Sequence, residues 1–252
     1  MMSAEFHGQL VWLQFFLAVP TVIALIFLSA PYGRHERSGW GPTMPARWGW
    51  IMMESPAVLY FGFIFWNTPH RLQAVPLVFF AMWQLHYINR TFVFPFLLRG
   101  SDKRMPVVVA LMAILFNLLN ATINAHWIGE FGRYSNAWLT DPRFIVGALL
   151  FLVGFMGNIH ADSLLRALRK PGESGYKIPQ GGLYRWISCP NYFFEILEWT
   201  GWAIATWSTA GLAFAIYTAA NLAPRAASHH RWYQERFEDY PKDRKALVPL
   251  VW

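Results

Sequence analysis

The sequence predicts an all-α integral membrane protein of about seven transmembrane helices, with its amino terminus outside and its carboxy terminus in the cytoplasm. Three observations predict it. The 252 residues are 55% hydrophobic and only 14% charged, where soluble domains carry roughly 25% charged residues; mean hydropathy is +0.27. Apolar runs of about 18–25 residues, the length that crosses a hydrocarbon core, recur along the whole chain. Basic residues gather in alternate loops between those runs, which is a topology signal.

The spans fall near 9–30, 48–66, 74–98, 105–127, 142–166, 188–207 and 208–226. The first is long enough to span and no Lys or Arg precedes it, so it reads as a span and not as a cleaved signal. The last two share one apolar run from Trp199 to Leu222, divided at Ser208–Thr209, and a reentrant pair is the alternative there. Arg34, Arg37 and Arg47 occupy the first loop, and Arg99, Lys103 and Arg104 the third. Arg166, Arg169, Lys170, Lys177 and Arg185 surround the fifth, and six more follow from Arg225. That places 17 of the 21 Lys and Arg on one side, against Arg71, Arg133 and Arg143 on the other, with Arg90 inside a span. The basic side is the cytoplasm. The 14 Trp suit a chain with two interfaces to anchor.

Other classes are excluded. A pI near 9.7 invites nucleic acid, but charge spread over interhelical loops is a membrane pattern, so no nucleic-acid partner is expected. The single Cys189 rules out an internal disulfide and a multi-Cys metal site. The histidines show no ligand spacing, and the rings of adjacent His229 and His230 point apart on a helix, so no metal is expected. No internal repeat or linker divides the chain, and the tail 229–252, with aromatic residues among its charges, is expected to fold against the membrane domain.

Polar residues inside the spans carry the functional signal, because an amide or carboxylate in an apolar helix costs free energy unless something polar meets it. At ~1.5 Å rise per residue, every one of the carboxylates lies in the cytoplasmic half. Glu54 is two turns into the second span, and Tyr87 and Arg90 are near the end of the third. Asn158 and Asp162 close the fifth, and Asn191 and Glu195 open the sixth. Asn158, Asp162 and Arg169 recur at i, i+4 and i+11, on one helix face; Asn191, Glu195 and Glu198 do the same at i, i+4 and i+7.

Each has a plainer alternative. Asp162 pairs with Arg166 at i+4, Glu195 is a structural carboxylate holding an Arg, Arg90 snorkels, or Tyr87 makes an interhelical hydrogen bond. Asn117, Asn120 and Asn124 line one face of the fourth span and read as helix–helix hydrogen bonding. Glu54 is hardest to explain this way: Ile51, Met52, Met53 and Pro56 offer it no local partner. A carboxyl kept protonated in such a place can donate a hydrogen bond to a developing oxyanion.

The stretch Asn158 to Gly182 joins polar helix residues to a basic loop rich in Gly and Pro, a setting for a phosphate-bearing ligand. No G-x-G-x-x-G and no P-loop occurs, so a dinucleotide would be held by membrane helices and not by a Rossmann sheet.

The motifs go further. NIHAD at 158–162, LRKPGE at 168–173, YKIPQGGLY at 176–184, EWTGWAIATWS at 198–208 and HHRWYQERFEDYPKDRKALVP at 229–249 resemble the carboxy-terminal region of the steroid 5α-reductase family. Upstream, YGRH at 32–35, MESPA at 53–57 and LHYINRTFVFPFLLRG at 85–100 are similar to the same family. The resemblance implies NADPH-dependent reduction of a 3-oxo-Δ4-steroid to its 5α-dihydro form by one polytopic domain. Its substrate-side helices would span about 1–127 and its cofactor region about 142–252. By position it implies catalytic roles for Glu54 and Tyr87 at the C3 carbonyl. It further implies cofactor binding by Asn158, Asp162, Arg169, Tyr176, Asn191, Glu195, Arg225, His229 and Tyr233, joined by Tyr32, Arg34 and Arg90.

The expected partners are a steroid or similar lipid-like enone and membrane lipid, around a monomer in a bacterial inner membrane or the endoplasmic reticulum, with the cofactor site facing the cytoplasm. One departure stands out: animal members carry Gln immediately before the catalytic Glu, where this chain has Met53. The rival readings are a membrane enoyl reductase acting on acyl-CoA or polyprenol, a membrane methyltransferase using S-adenosylmethionine, and a non-catalytic sterol-binding protein.

Overall fold

The protein, seen in a computed structural model that describes residues 2–31, 33–35, 37–98, 103–169, 173 and 175–252, is mostly helical. Among the described residues, seven helical rods correspond in order to the seven apolar runs. α1 is Ala4–Phe27, capped where Ser3 Oγ accepts from the Phe6 amide. The second rod joins α2 (Ala46–Ser55) to α3 (Phe61–Trp66) through a π-helical turn, Pro56–Tyr60. The third joins α4 (Ala74–Ile88) to α5 (Phe94–Leu97) through another, Asn89–Val93. α6 is Val107–His126 and ends in a third π turn, Trp127–Phe131. α7 (Pro142–Ala167) starts at Asp141, whose carboxylate accepts from the Arg143 amide.

α8 (Pro190–Thr206) stops where Trp207 takes a left-handed conformation, φ 45°, and Ser208 then caps α9 (Thr209–Arg236) by accepting from the Gly211 amide. The boundary between the last two runs therefore falls at Ser208–Thr209, as the sequence places it. Among the described residues, three rods are long and apolar enough to cross a membrane by length and composition: Ala4–Phe27, Val107–Phe131 and Pro142–Ala167.

Two features were not expected. Strands β1 (Thr43–Pro45) and β2 (Arg104–Pro106) pair antiparallel, tying the first basic loop to the third. The second is that the last helix outlasts the last apolar run, although the tail's return onto the helices was expected. α9 runs on through His229 and His230 for 28 residues, about 42 Å at 1.5 Å per residue. The chain then turns back, and Lys245 bonds Trp186 and Ser188 through its backbone, both at 2.8 Å. Ser188 Oγ sits 2.6 Å from both His230 Nδ1 and the Tyr240 hydroxyl, so the tail is strapped to the start of α8.

Two contacts position the site. Trp83 on α4 is fully buried, stacks on Phe61 at 4.3 Å, and donates its indole N–H to the Ala57 carbonyl at 2.8 Å. Gln84 donates likewise to Val58 at 3.1 Å. Side chains of α4 thereby bond carbonyls of the π turn that follows Glu54, while the Met52 carbonyl, which Pro56 cannot serve for want of an N–H, accepts from Ser55 Oγ at 3.0 Å. The second contact is α7 against α8. A Cβ on Gly147 would meet the Ala205 backbone, one on Gly154 the Glu198 backbone, and one on Gly201 the Phe151 backbone. Only glycine permits that approach.

Gly154→Val should therefore force α7 from α8 and lower stability by about 2 kcal/mol, at the middle of the overpacking range. The check is a lower unfolding temperature of the detergent-solubilised protein than that of Gly8→Val, since a Cβ at Gly8 meets nothing.

Candidate active site

The α7–α8 contact sets the end of one helix beside the start of the other. Asn158 donates its amide to the Asn191 carbonyl at 2.9 Å and to Glu195 Oε2 at 3.4 Å. Asn191 in turn donates to Asp162 Oδ1 at 3.1 Å. Arg90 reaches in from the π turn after α4: Nη1 lies 3.6 Å from Asp162 Oδ2 and Nη2 3.9 Å from Glu195 Oε2. Its guanidinium also stacks over Trp50 at 4.6 Å and Phe94 at 4.4 Å. One cation between two carboxylates leaves this cluster a net charge of −1 when all three are ionised. It is also amphoteric, offering both amide donors and carboxylate acceptors.

Glu54 and Tyr87 lie beside it. Glu54 is within Coulombic reach of Arg90, His86 and Glu195, and Tyr87 within reach of Glu54. Asn117 of α6 donates Nδ2 to Glu54 Oε2 at 3.1 Å and to the Met53 carbonyl at 2.6 Å. The Tyr87 ring is walled by Trp83 at 4.9 Å, His86 at 4.9 Å and Trp199 at 5.6 Å, so the phenol has little rotational freedom. His86 is fixed by a 2.8 Å bond between Nδ1 and Glu198 Oε1, both buried.

A second cluster is cationic. The Arg34 guanidinium packs over Tyr233 at 4.5 Å, Trp232 at 5.1 Å and Tyr176 at 5.5 Å. Its Nη1 is buried with no hydrogen-bond partner among the described residues. Arg169 and Lys103 approach the same Tyr176 ring, at 5.4 and 5.9 Å. Between the clusters, Tyr192 on α8 accepts from Arg225 Nη2 at 3.0 Å and lies 3.1 Å from His229 Nε2, while His229 Nδ1 is 3.1 Å from His35 Nε2. Burial first, then Arg34, Arg225 and Arg37, push the His35 imidazole down to about 4. Burial, Arg34 and Arg225 lower His229 as well. Both rings are neutral near pH 7, so one donates and the other accepts.

With that geometry in place, the similar proteins can be read against it. A family model described as 3-oxo-5-alpha-steroid 4-dehydrogenase matches residues 103–252. The steroid 5-alpha-reductase DET2 of Gossypium hirsutum is 45% identical over 252 residues, covering 98% of this chain and 97% of the relative. The 3-oxo-5-alpha-steroid 4-dehydrogenase 1 of Rattus norvegicus is 42% identical over 251 residues, with 96% and 94% covered. The enzyme of that name from Bos taurus is 44% identical over 246 residues, with 96% and 95% covered. The chain belongs to the 3-oxo-5-alpha-steroid 4-dehydrogenase family. This is an oxidoreductase family of steroid metabolism.

Against the residues the family resemblance implied, the structure brings Arg90, Asn158, Asp162, Asn191 and Glu195 into one cluster. It brings Arg34, Arg169, Tyr176 and Tyr233 into another, and links Arg225 with His229. Tyr32 lies outside the described residues. Asp162 turns to Arg90 and Asn191 through its two oxygens. The i+11 spacing does not place Arg169: α7 ends at Ala167, and Arg169 follows it in the loop. The aromatic ring of Tyr176 gathers it to the site instead.

Sequence reasoning missed Asn117 as a partner of Glu54, the His86–Glu198 pair, Tyr192 and Trp232. The Asn117-Asn120-Asn124 face was the available signal for the first; helix–helix bonding does occur there, for Asn120 Oδ1 accepts from Gln14 at 3.1 Å and Asn124 Oδ1 from Trp202 at 2.9 Å. An apolar cleft of about 500 Å³ between α1, the end of α6 and the start of α9 is lined by none of the predicted site residues.

The histidine pair yields a pH dependence. His35 has a folded-state value of about 4, below the ordinary ~6.5 of an unfolded chain. Between those values the unfolded chain binds the proton and the folded one does not, so stability is lost as pH falls through that window. The unfolding temperature of the wild type should drop from pH 7 to pH 5, and His35→Gln should flatten the drop; equal slopes for both proteins would contradict the assignment.

Proposed function

We propose that this protein reduces the Δ4 double bond of a 3-oxo-Δ4-steroid to the 5α-dihydro-3-oxosteroid with NADPH, as a monomeric membrane enzyme of about seven spans. Its amino terminus lies outside and its cofactor site faces the cytoplasm. The observation that carries the reading is the nearness of Glu54 and Tyr87, two groups that can each donate a hydrogen bond, beside a polar cluster that has both donors and acceptors. The relatives' name, 3-oxo-5-alpha-steroid 4-dehydrogenase, points to the bond that such a pair would serve.

The donor set also fits a phosphorylated dinucleotide. The buried Nη1 of Arg34, without a hydrogen-bond partner among the described residues, supports a phosphate oxygen as its mate. Arg169 and Lys103 add charge there, and Tyr176, Trp232 and Tyr233 offer ring faces to an adenine. The Arg90–Asp162–Glu195 cluster, net negative, would repel phosphate and suits the uncharged hydroxyls and carboxamide of the nicotinamide end, together with Asn158 and Asn191. Arg225 and His229 close the space between.

When bound, NADPH supplies the hydride that forms the new C5–H bond. As the enone electrons shift, negative charge collects on the C3 oxygen, and Glu54 and Tyr87 hold it with two hydrogen bonds. Carbon C4 then takes a proton from water and the 3-oxo group is restored. Trp83, Trp199 and His86 wall the Tyr87 phenol, so its donor is oriented before substrate arrives, which lowers the reorganisation needed in the transition state.

Purified protein should oxidise NADPH with a 3-oxo-Δ4-steroid and yield the 5α product; turnover on an enoyl-CoA and on no such steroid would overturn the assignment. Glu54→Leu and Tyr87→Phe should each lower kcat by about 10²–10³, as loss of an oxyanion donor does, with NADPH affinity unchanged. Arg34→Ala should act the other way, raising the Kd for NADPH about tenfold or more through loss of a charge-assisted bond. Unchanged NADPH affinity in Arg34→Ala would remove it from the cofactor site.

A further inference from the structure

The amide of Asn117 is fixed in orientation by chemistry. The Met53 carbonyl, 2.6 Å away, can only accept, so the nitrogen of Asn117 and not its oxygen faces it. That nitrogen carries two hydrogens. The second is directed at Glu54 Oε2, 3.1 Å away. Asn117 is 5% exposed and comes from α6, 63 residues along the chain from Glu54, so the contact is made by the packing of two rods and not by local sequence.

We infer that Asn117 is a positioning residue that makes Glu54 Oε2 the accepting oxygen, leaving the acidic proton on Oε1 to meet the substrate carbonyl. The inference rests on the reading of Glu54 as an oxyanion donor. A carboxylic acid has one donating and one accepting oxygen, and a free acid side chain can present either by a half-turn of its terminal torsion. A donor pinned to Oε2 removes that freedom: a proton on Oε2 would point at Asn117 hydrogens. Glu54 keeps its proton throughout, since it donates a hydrogen bond to the C3 oxygen and transfers nothing. The backbone bond to Met53 supplies the anchor, because it holds the amide plane whether or not substrate is present. Glu54 itself sits in the last turn of α2, next to Ser55 and the π turn at Pro56, where the helix alone constrains it less.

The test separates orientation from packing. Asn117→Leu keeps the volume and removes both donors; Asn117→Gln keeps the donors on a longer stem. Losing one hydrogen bond to an ionisable group should lower kcat about 10- to 100-fold in Asn117→Leu, with steroid KM within about threefold. NADPH Kd should be unchanged, and Asn117→Gln should recover most of the rate. A substrate-free infrared measurement gives the direct readout. The protonated-carboxyl band that disappears in Glu54→Gln should move to higher wavenumber in Asn117→Leu, because its carbonyl oxygen has lost a donor.

Wild-type kcat in Asn117→Leu, an unmoved band, or no such band in the wild type would overturn the inference. Should Asn117→Leu fail to bind NADPH, Asn117→Asp decides. It is nearly isosteric and has at most one hydrogen, which the Met53 carbonyl takes, so the same loss of kcat is expected and a wild-type rate overturns the proposal. If the wild type turns over no steroid, the proposed function fails, while the infrared shift still tests the orientation of Glu54.

Discussion

The close approach of α7 and α8 is the constraint on which the rest of the site depends. Gly147, Gly154 and Gly201 let the two backbones meet where any Cβ would strike main chain. Because the helices are antiparallel neighbours, that contact fixes register as well as distance. It places Asn158 opposite Asn191 and Glu195, and Asp162 opposite Asn191. Four polar side chains on two apolar helices would each be costly alone. Together they satisfy one another and form a platform that Arg90 completes from a third rod.

Charge is then sorted along the site. The platform is net negative when its charged groups are all ionised and lies among the helices, while Arg34, Arg169 and Lys103 gather around Tyr176 at the loops. A ligand with a neutral end and an anionic tail would be favoured in one orientation by such a gradient. The neutrality of His35 and His229 belongs to the same arrangement. Burial, with Arg34 and Arg225 close by, holds both rings uncharged, so the bridge between loop and tail helix adds no further positive charge at neutral pH.

Much of this was legible before any coordinates. Spacing of i and i+4 put Asn158 with Asp162 and Asn191 with Glu195, and the helices that carry them are regular enough for the rule to hold. The same rule extended to Arg169 misleads because α7 has ended two residues earlier, and a loop residue has no helical phase. Asn117 with Glu54 and His86 with Glu198 were illegible for a different reason: their partners are 63 and 112 residues apart. No periodicity within one helix reports which face another helix will meet. The π turns were hidden too. Pro56 marks one of them, but Asn89–Val93 begins without a proline, and its position emerges only from packing.

Met53 shows how a departure from the family pattern is absorbed. Its side chain does not face Glu54's partners; it is buried with Met105 and Ala110, near Met44 and Trp50, in a small apolar cluster beneath the β1–β2 staple. A glutamine amide in that cluster would need hydrogen-bond partners that methionine and alanine side chains cannot give. What residue 53 contributes to the site is its carbonyl, which any amino acid has, and the side-chain amide bonded to Glu54 comes from Asn117. The polar support of Glu54 is thus supplied across a helix interface and not by its neighbour in sequence.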